Sequence, residues 1–262
     1  MSVRPKKNLG QHFLKDQGIA KDIVDLFIGF GNPEMLIEIG PGTGVLTQHL
    51  LEPKPWKFRA SDVDRESIDY LKLHYPLHQE KFVLEDFLRM DPAALGIHRF
   101  AVIGNFPYNI SSQIFFHILE MKAEVTEVVC MLQKEVAQRI ASGPGGKEYG
   151  ILSVLLQSLY TIKYEFTVEP HVFDPPPKVK SGVIRMERIE GKVLPCRFSN
   201  LQKLVKQAFN MRRKTLRNAL KPMGIPESLA QHPWMDKRAE QLSVGEFEEM
   251  TRIYEEAGKL RK

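Results

Sequence analysis

Four times within the first 105 residues a short apolar run ends at a glycine, an acid or an amide, and three of the four give way to a helical stretch. The runs are Leu36 to Ile39, Phe58 to Ser61, Lys81 to Leu84 and Phe100 to Ile103. Each has the length of a buried strand and is too short for a helix. Val45 to Leu51 follows the first run. Arg65 to Tyr75 follows the second, with Ile68, Leu71 and Tyr75 on one helical face. After the fourth comes a helix over Ile114 to Met121 and a fifth strand over Glu127 to Leu132. This alternation predicts an α/β fold, a Rossmann-like, doubly wound parallel sheet.

Beyond the fifth strand, Gly143-Pro144-Gly145-Gly146 is a loop by composition. Ile151 to Tyr160 is predicted helical. Ile162 to Val168 and Gly182 to Arg188 are two further strands, parted by the Pro-rich loop Phe173-Asp174-Pro175-Pro176-Pro177. A domain boundary is expected near Pro195, giving a catalytic domain over 1–195 and a small α-helical domain over 196–262. In the second, Leu201, Leu204, Val205, Ala208 and Phe209 take helical spacing, and Leu216, Ala219 and Leu220 mark a short helix. Ser243 followed by Glu246 is a capping box for a last helix.

Charge separates the same two parts. The net charge is +5, and residues 1–197 contribute none of it, with 24 basic and 24 acidic side chains. Residues 198–262 hold 13 basic and 8 acidic residues, and Lys203 to Lys221 includes seven basic residues and no acid. A cationic patch on a neutral body suggests a polyanion partner; a solubilising helix face accounts for it equally well. No apolar run is long enough to cross a bilayer, and the basic N-terminus has no apolar stretch after it, so neither a membrane anchor nor a secretory signal is expected. Cys130 and Cys196 form no CxxC pair, and the eight histidines are scattered and make no HxH. A reducing, cytoplasmic setting without structural zinc or other metal follows.

Functional groups of open α/β sheets gather at the carboxyl ends of strands. At the first end stands Glu38-Ile39-Gly40-Pro41-Gly42-Thr43-Gly44. Its third glycine comes one residue too early for the dinucleotide GxGxxG. With Glu38 two residues before Gly40, the turn fits S-adenosyl-L-methionine better than a pyrophosphate; a plain strand–helix turn is the alternative. Asp62 ends the second strand and can accept from both ribose hydroxyls. Asp64 is its rival, although an N-cap role suits Asp64 well. Asp86-Phe87 ends the third strand, where the acid can accept from the cofactor's adenine amine and the ring can cover its base.

The fourth end carries most information. Asn105-Phe106-Pro107-Tyr108 supplies what methylation of an adenine amine requires. That amine is a poor nucleophile because its lone pair is delocalised into the ring. The Asn105 side-chain oxygen and the Phe106 carbonyl can accept its hydrogens and free the lone pair. Pro107 stiffens the turn, and Tyr108 offers a face to an extruded base. Positioning supplies most of the catalysis, without metal or covalent nucleophile. A proline turn with a buried tyrosine is the competing explanation of these four residues taken alone.

Together these residues resemble the KsgA/Dim family of ribosomal RNA small-subunit adenine dimethyltransferases, over nearly the whole chain. Lys7-Asn8-Leu9-Gly10-Gln11-His12-Phe13-Leu14 is similar to the family's opening motif and implies cofactor contacts at Gln11, His12 and Leu14. The glycine motif falls on Glu38, Gly40, Gly42 and Gly44, the ribose-binding acid on Asp62, where Glu is more usual, and the adenine-binding aspartate on Asp86. The catalytic motif falls on Asn105 to Tyr108, with Phe106 in place of the usual Leu or Ile. Phe173 to Ser181 resembles the loop whose Phe stacks on the target base opposite the Tyr. Ala208 to Asn218 resembles a C-terminal signature, with Met211 for a usual Gln. The resemblance implies as substrate two adjacent adenosines in a hairpin loop near the 3′ end of small-subunit rRNA, methylated during ribosome biogenesis. Arg212, Arg213, Lys214 and Arg217 would then hold phosphates of the immature 30S-type subunit. A monomer is expected. Three other readings stand beside this one: a resistance-type methyltransferase of large-subunit rRNA, an assembly factor with methylation secondary, and a nicotinamide oxidoreductase.

Overall fold

The computed structural model describes residues 3–6, 9–121 and 124–259. Two compact units result, one built from 1–137 with 161–188 and the other from 138–160 with 189–262.

The first unit opens with β1 (Phe13–Leu14) and α1 (Gln17–Asp25). Asp16 caps α1 by accepting from the Ile19 N–H at 3.0 Å. β2 (Met35–Ile39), α2 (Thr47–Leu50), β3 (Lys57–Asp62), α3 (Arg65–His74), β4 (Phe82–Leu84), β5 (Phe100–Asn105), α4 (Ser111–Glu120) and β6 (Val125–Gln133) follow in turn. Then come α5 (Lys134–Ala141) and α6 (Ile151–Gln157), and the sheet resumes with β7 (Tyr160–Val168), β8 (Phe173–Asp174) and β9 (Ser181–Arg188). The seven-stranded sheet has the order β4-β3-β2-β5-β6-β9-β7. Its first five strands are parallel, and chain order reverses between β2 and β5. A ligand crevice is expected at the carboxyl side of such a reversal.

The α/β expectation holds, with differences at the far edge and in the connections. β9 runs antiparallel to β6, from Gln133↔Ser181 to Glu127↔Glu187, so the sheet is mixed. The segment joining β7 to β9 contains no crossover helix of the kind a parallel neighbour needs. The helix expected over Ile151 to Tyr160 stops at Gln157, and Tyr160 already belongs to β7. β1 and β8 pair separately, Phe13 with Asp174 and Leu14 with Phe173.

Gly104 explains how β5 comes so near β2. A Cβ there would stand 2.5 Å from the Ile39 carbonyl oxygen. Only a residue without one lets the next position, Asn105, close on the glycine turn after β2.

The second unit comprises α6 with α7 (Phe198–Asn210), α8 (Leu216–Ala219), α9 (Glu227–Ala230) and α10 (Val244–Glu256). α7 buries Leu201, Leu204, Val205, Ala208 and Phe209, the face its spacing predicts. Phe209 stacks on Phe247 of α10 with ring centroids 5.9 Å apart. Ser243 and Glu246 form the capping box in both directions, at 2.7 and 3.2 Å. The two units part at a different place from the boundary expected near Pro195. The second unit begins at Ile189 and also takes 138–160. The reason is α6, whose Leu152, Val154, Leu155 and Leu156 are all buried. A helix apolar on so many sides needs helical neighbours, and α7 and α10 supply them.

Candidate active site

A cavity of about 240 Å³ lies at the carboxyl ends of β2, β3, β4 and β5. Gly40 and Gly42 line it after β2, Asp62 and Val63 after β3, Asp86 and Leu88 after β4, and Asn105 to Ile110 after β5. The last wall is the N-terminal segment Leu9 to Phe13. Four strand ends identified one at a time in the sequence thus converge on one space.

The acids differ in environment. Glu38 is 1% exposed and lies beneath the turn, accepting from the Thr47 hydroxyl at 2.7 Å. Burial pushes its carboxyl up to about 8, helped by the nearby charge of Asp62 and opposed by Thr47. Asp62 is 8% exposed on the cavity wall and accepts from the Asp64 N–H at 2.9 Å. Burial raises it to about 6 against the pull of the Asp64, Gly42 and Val63 N–H groups. Asp64, the rival, caps α3 by accepting from the Glu66 N–H at 3.1 Å and the Ser67 hydroxyl at 3.1 Å. It also receives Lys6 Nζ and Gln11 Nε2. Burial pushes the Asp64 carboxyl up, but these donors together hold it below its ordinary value. Asp86 accepts from the Leu88 N–H at 3.0 Å and keeps its place on the wall.

The loop after β5, Asn105 to Tyr108, is held from several sides. Phe106 N–H donates to the Met131 carbonyl at 2.9 Å, continuing the ladder beyond β5. The Phe106 ring is 1% exposed and packs on Phe115 with centroids 5.8 Å apart. The larger ring in place of Leu or Ile is thus absorbed by the core. Asn105 Nδ2 donates to the His12 carbonyl at 3.0 Å. The amide oxygen therefore remains as the acceptor, because turning the amide over would set two oxygens against each other. The Tyr108 hydroxyl bonds to Ser181 Oγ at 2.6 Å, and burial raises its pKa.

Four expected site residues do not line this cavity. Leu14 is 3% exposed in the core, and Glu38 acts from below through Thr47. Phe87, expected to cover a base, is 4% exposed and packs edge-on to His117. Leu88 lines the cavity in its stead. Phe173, expected as the second stacking face, is 0% exposed, with Leu14 opposite it across the β1–β8 pair. Its ring instead anchors the N-terminal segment to the core. Lys7 and Asn8 of the opening motif lie outside the described residues.

Sequence reasoning also missed Val63, Leu88, Asn109 and Ile110, all on the cavity wall. Val63 is 52% exposed beside Asp62. An apolar residue following a strand-end acid is the signal that could have found it. Of the four basic candidates in the second unit, Arg213 and Lys214 are exposed. Arg212 donates to the Gly146 carbonyl at 3.2 Å. Arg217 donates to the Ala230 carbonyl at 2.6 Å and to Asp236 at 3.0 Å.

The residues fit S-adenosyl-L-methionine. Gly40 has φ +66°, and a Cβ there would stand 3.9 Å from both the Asn105 carbonyl and Pro107 Cδ, inside the gap between turn and loop. Asp62 and Asp86 supply carboxylate acceptors for hydroxyl and amine groups, and Val63 and Leu88 supply apolar cover. Bound there, the cofactor would supply an electrophilic methyl group.

Comparison with known proteins agrees with this geometry. The family model for ribosomal RNA adenine dimethylase matches residues 3–256. The ribosomal RNA small subunit methyltransferase A of Cytophaga hutchinsonii is 53% identical over 251 residues, covering 96% of this chain and 97% of that one. A dimethyladenosine transferase from Plasmodium falciparum superposes with TM-score 0.78 at 23% identity, over 94% of this chain and 98% of its own. The 23S rRNA methyltransferase ErmE shares the fold, with TM-score 0.70 at 22% identity over 94% and 99%. The chain belongs to the ribosomal RNA adenine dimethylase family and is an S-adenosyl-L-methionine-dependent rRNA adenine dimethyltransferase.

Proposed function

We propose that the enzyme dimethylates two adjacent adenosines in the hairpin loop near the 3′ end of small-subunit rRNA, acting on immature small subunits in the cytoplasm as a monomer. One observation carries the mechanism: the Asn105 amide nitrogen is engaged by the His12 carbonyl, which leaves Oδ1 as an acceptor beside the cavity. Asn105 Oδ1 and the Phe106 carbonyl accept the two amine hydrogens and draw the lone pair out of the adenine ring. Pro107 holds those acceptors in register, and Tyr108 receives the face of the extruded base. The proton displaced as each methyl is gained leaves through the same acceptors to water.

Small-subunit rRNA is favoured over large-subunit rRNA because the 53% identity is to an enzyme named for the small subunit, whereas the likeness to ErmE concerns the fold. Among the described residues no helix is long and apolar enough to cross a membrane. Arg213 and Lys214 are the leading phosphate contacts, since both are exposed.

The test is methyl incorporation into undermethylated small subunits, with the modified nucleotides mapped. Wild-type enzyme should label two adjacent adenosines. Asn105→Ala should lower turnover by about 100-fold or more, the scale of losing a preorganised hydrogen-bonding group, while binding to subunits persists. Full transfer by Asn105→Ala, or labelling confined to large subunits, would overturn the reading.

A further inference from the structure

His12 sits where three parts of the site meet. Its carbonyl accepts the Asn105 amide at 3.0 Å. Its ring stacks on Tyr108, centroids 5.4 Å apart and planes 29° from parallel. Its Nδ1 lies 2.8 Å from the Pro175 carbonyl oxygen. A carbonyl can only accept, so Nδ1 carries the proton and the imidazole plane is fixed from behind. A residue serving the cofactor alone needs none of these contacts.

The stack answers a mechanical problem. Tyr108 is tethered through its hydroxyl to Ser181. That oxygen lies on the axis about which the phenol ring turns, so the tether leaves the ring plane undetermined. Rotation about that bond is soft in aromatic side chains. A plane laid against one face is what sets it. The segment bearing His12 is itself held on both sides, by Gln11 on Asp64 at 3.2 Å and by Phe13 paired with Asp174.

We infer that His12 is a positioning residue for the target base. Its imidazole backs one face of Tyr108 so that the opposite face is presented flat to adenine, and its carbonyl turns the Asn105 oxygen toward the amine. This rests on the reading of Asn105 and Tyr108 as the base-holding pair. It assigns His12 a part in base geometry beyond any contact with the cofactor.

The test uses the full-length enzyme, undermethylated small subunits and saturating cofactor. His12→Ala should lower kcat by ten-fold or more while cofactor affinity, measured by calorimetry, changes by less than three-fold. His12→Phe restores a planar ring and should recover most of the rate. His12→Asn keeps a donor for Pro175 without a ring and should stay slow. A loss in His12→Ala seen only below saturating cofactor would make His12 a cofactor contact only and overturn the inference. So would His12→Asn matching wild type, or His12→Ala turning over faster, which would mean that the imidazole obstructs the base. If His12→Ala does not fold, the contrast between Phe and Asn still decides. Asn105→Ala run alongside separates the two failures. An active Asn105→Ala sinks the base-loop reading itself, whereas an inactive one beside a fully active His12→Ala sinks only the role of His12.

Discussion

Glu38 and Asp62 hold protons longer in the folded chain than in the unfolded one. Burial raises Glu38 to about 8 and Asp62 to about 6, above ordinary values of 4.5 and 3.8. Where the folded state binds more protons than the unfolded, stability falls as pH rises. Below the unfolded values both states are protonated and nothing is lost. Between about 4 and 8 the unfolded chain has ionised both groups, whereas the folded chain keeps Asp62 protonated up to about 6 and Glu38 up to about 8. Stability of the ligand-free enzyme should therefore decline across that window and level off above it. A cationic sulfonium favours the ionised carboxylates, so S-adenosylmethionine should raise the melting temperature more at pH 8 than at pH 5.5. The demethylated thioether product should show a smaller pH dependence. Melting curves with each ligand at both pH values decide this, and a cofactor shift independent of pH would count against it. The acids themselves were legible, because each stands at the end of an apolar run. The direction of an apolar side chain was not. Phe87 and Leu88 are neighbours of similar character, and only the turn capped by Asp86 decides that Phe87 goes inward and Leu88 lines the cavity. Phe173 shows the same limit: a motif names the ring, whereas the β1–β8 pairing decides that it is buried.

At the scale of elements, the first five strands and the helices between them were readable because glycine, acid or amide punctuates each strand end. α6 was readable as a helix but not as a member of the second unit, since its burial depends on α7 and α10, more than forty residues onward. α8 shows the same limit with charge. Arg217 lies in a basic run, but its guanidinium ties α8 to the Ala230 carbonyl and to Asp236. Its side chain is 41% exposed, so the ion pair is partly screened and the staple is worth about 1 kcal/mol. Arg217→Ala should lower the unfolding free energy by roughly that amount in urea titrations, while its affinity for small subunits at constant salt changes little. A large affinity loss without destabilisation would return Arg217 to the phosphate contacts.

For the whole molecule, charge is concentrated where the catalytic residues are not. All of the +5 comes from 198–262. Replacing Arg213 and Lys214 together by Ala should weaken subunit binding at moderate salt. It should also flatten the logarithmic salt dependence by about 0.7–0.9 for each phosphate no longer neutralised. An unchanged salt slope would assign those two side chains to solvent. The second unit has a further property that follows from its connectivity. Its first segment, 138–160, is spliced between β6 and β7 of the catalytic sheet, and the rest follows β9. Such a unit is not a detachable tail. Cutting the gene after β9 would strand α6, with Leu152, Val154, Leu155 and Leu156 deprived of cover, in the middle of the sheet-forming sequence. No single terminal truncation removes this unit whole. Sheet and helical unit are interleaved along the chain, and no single cut separates them.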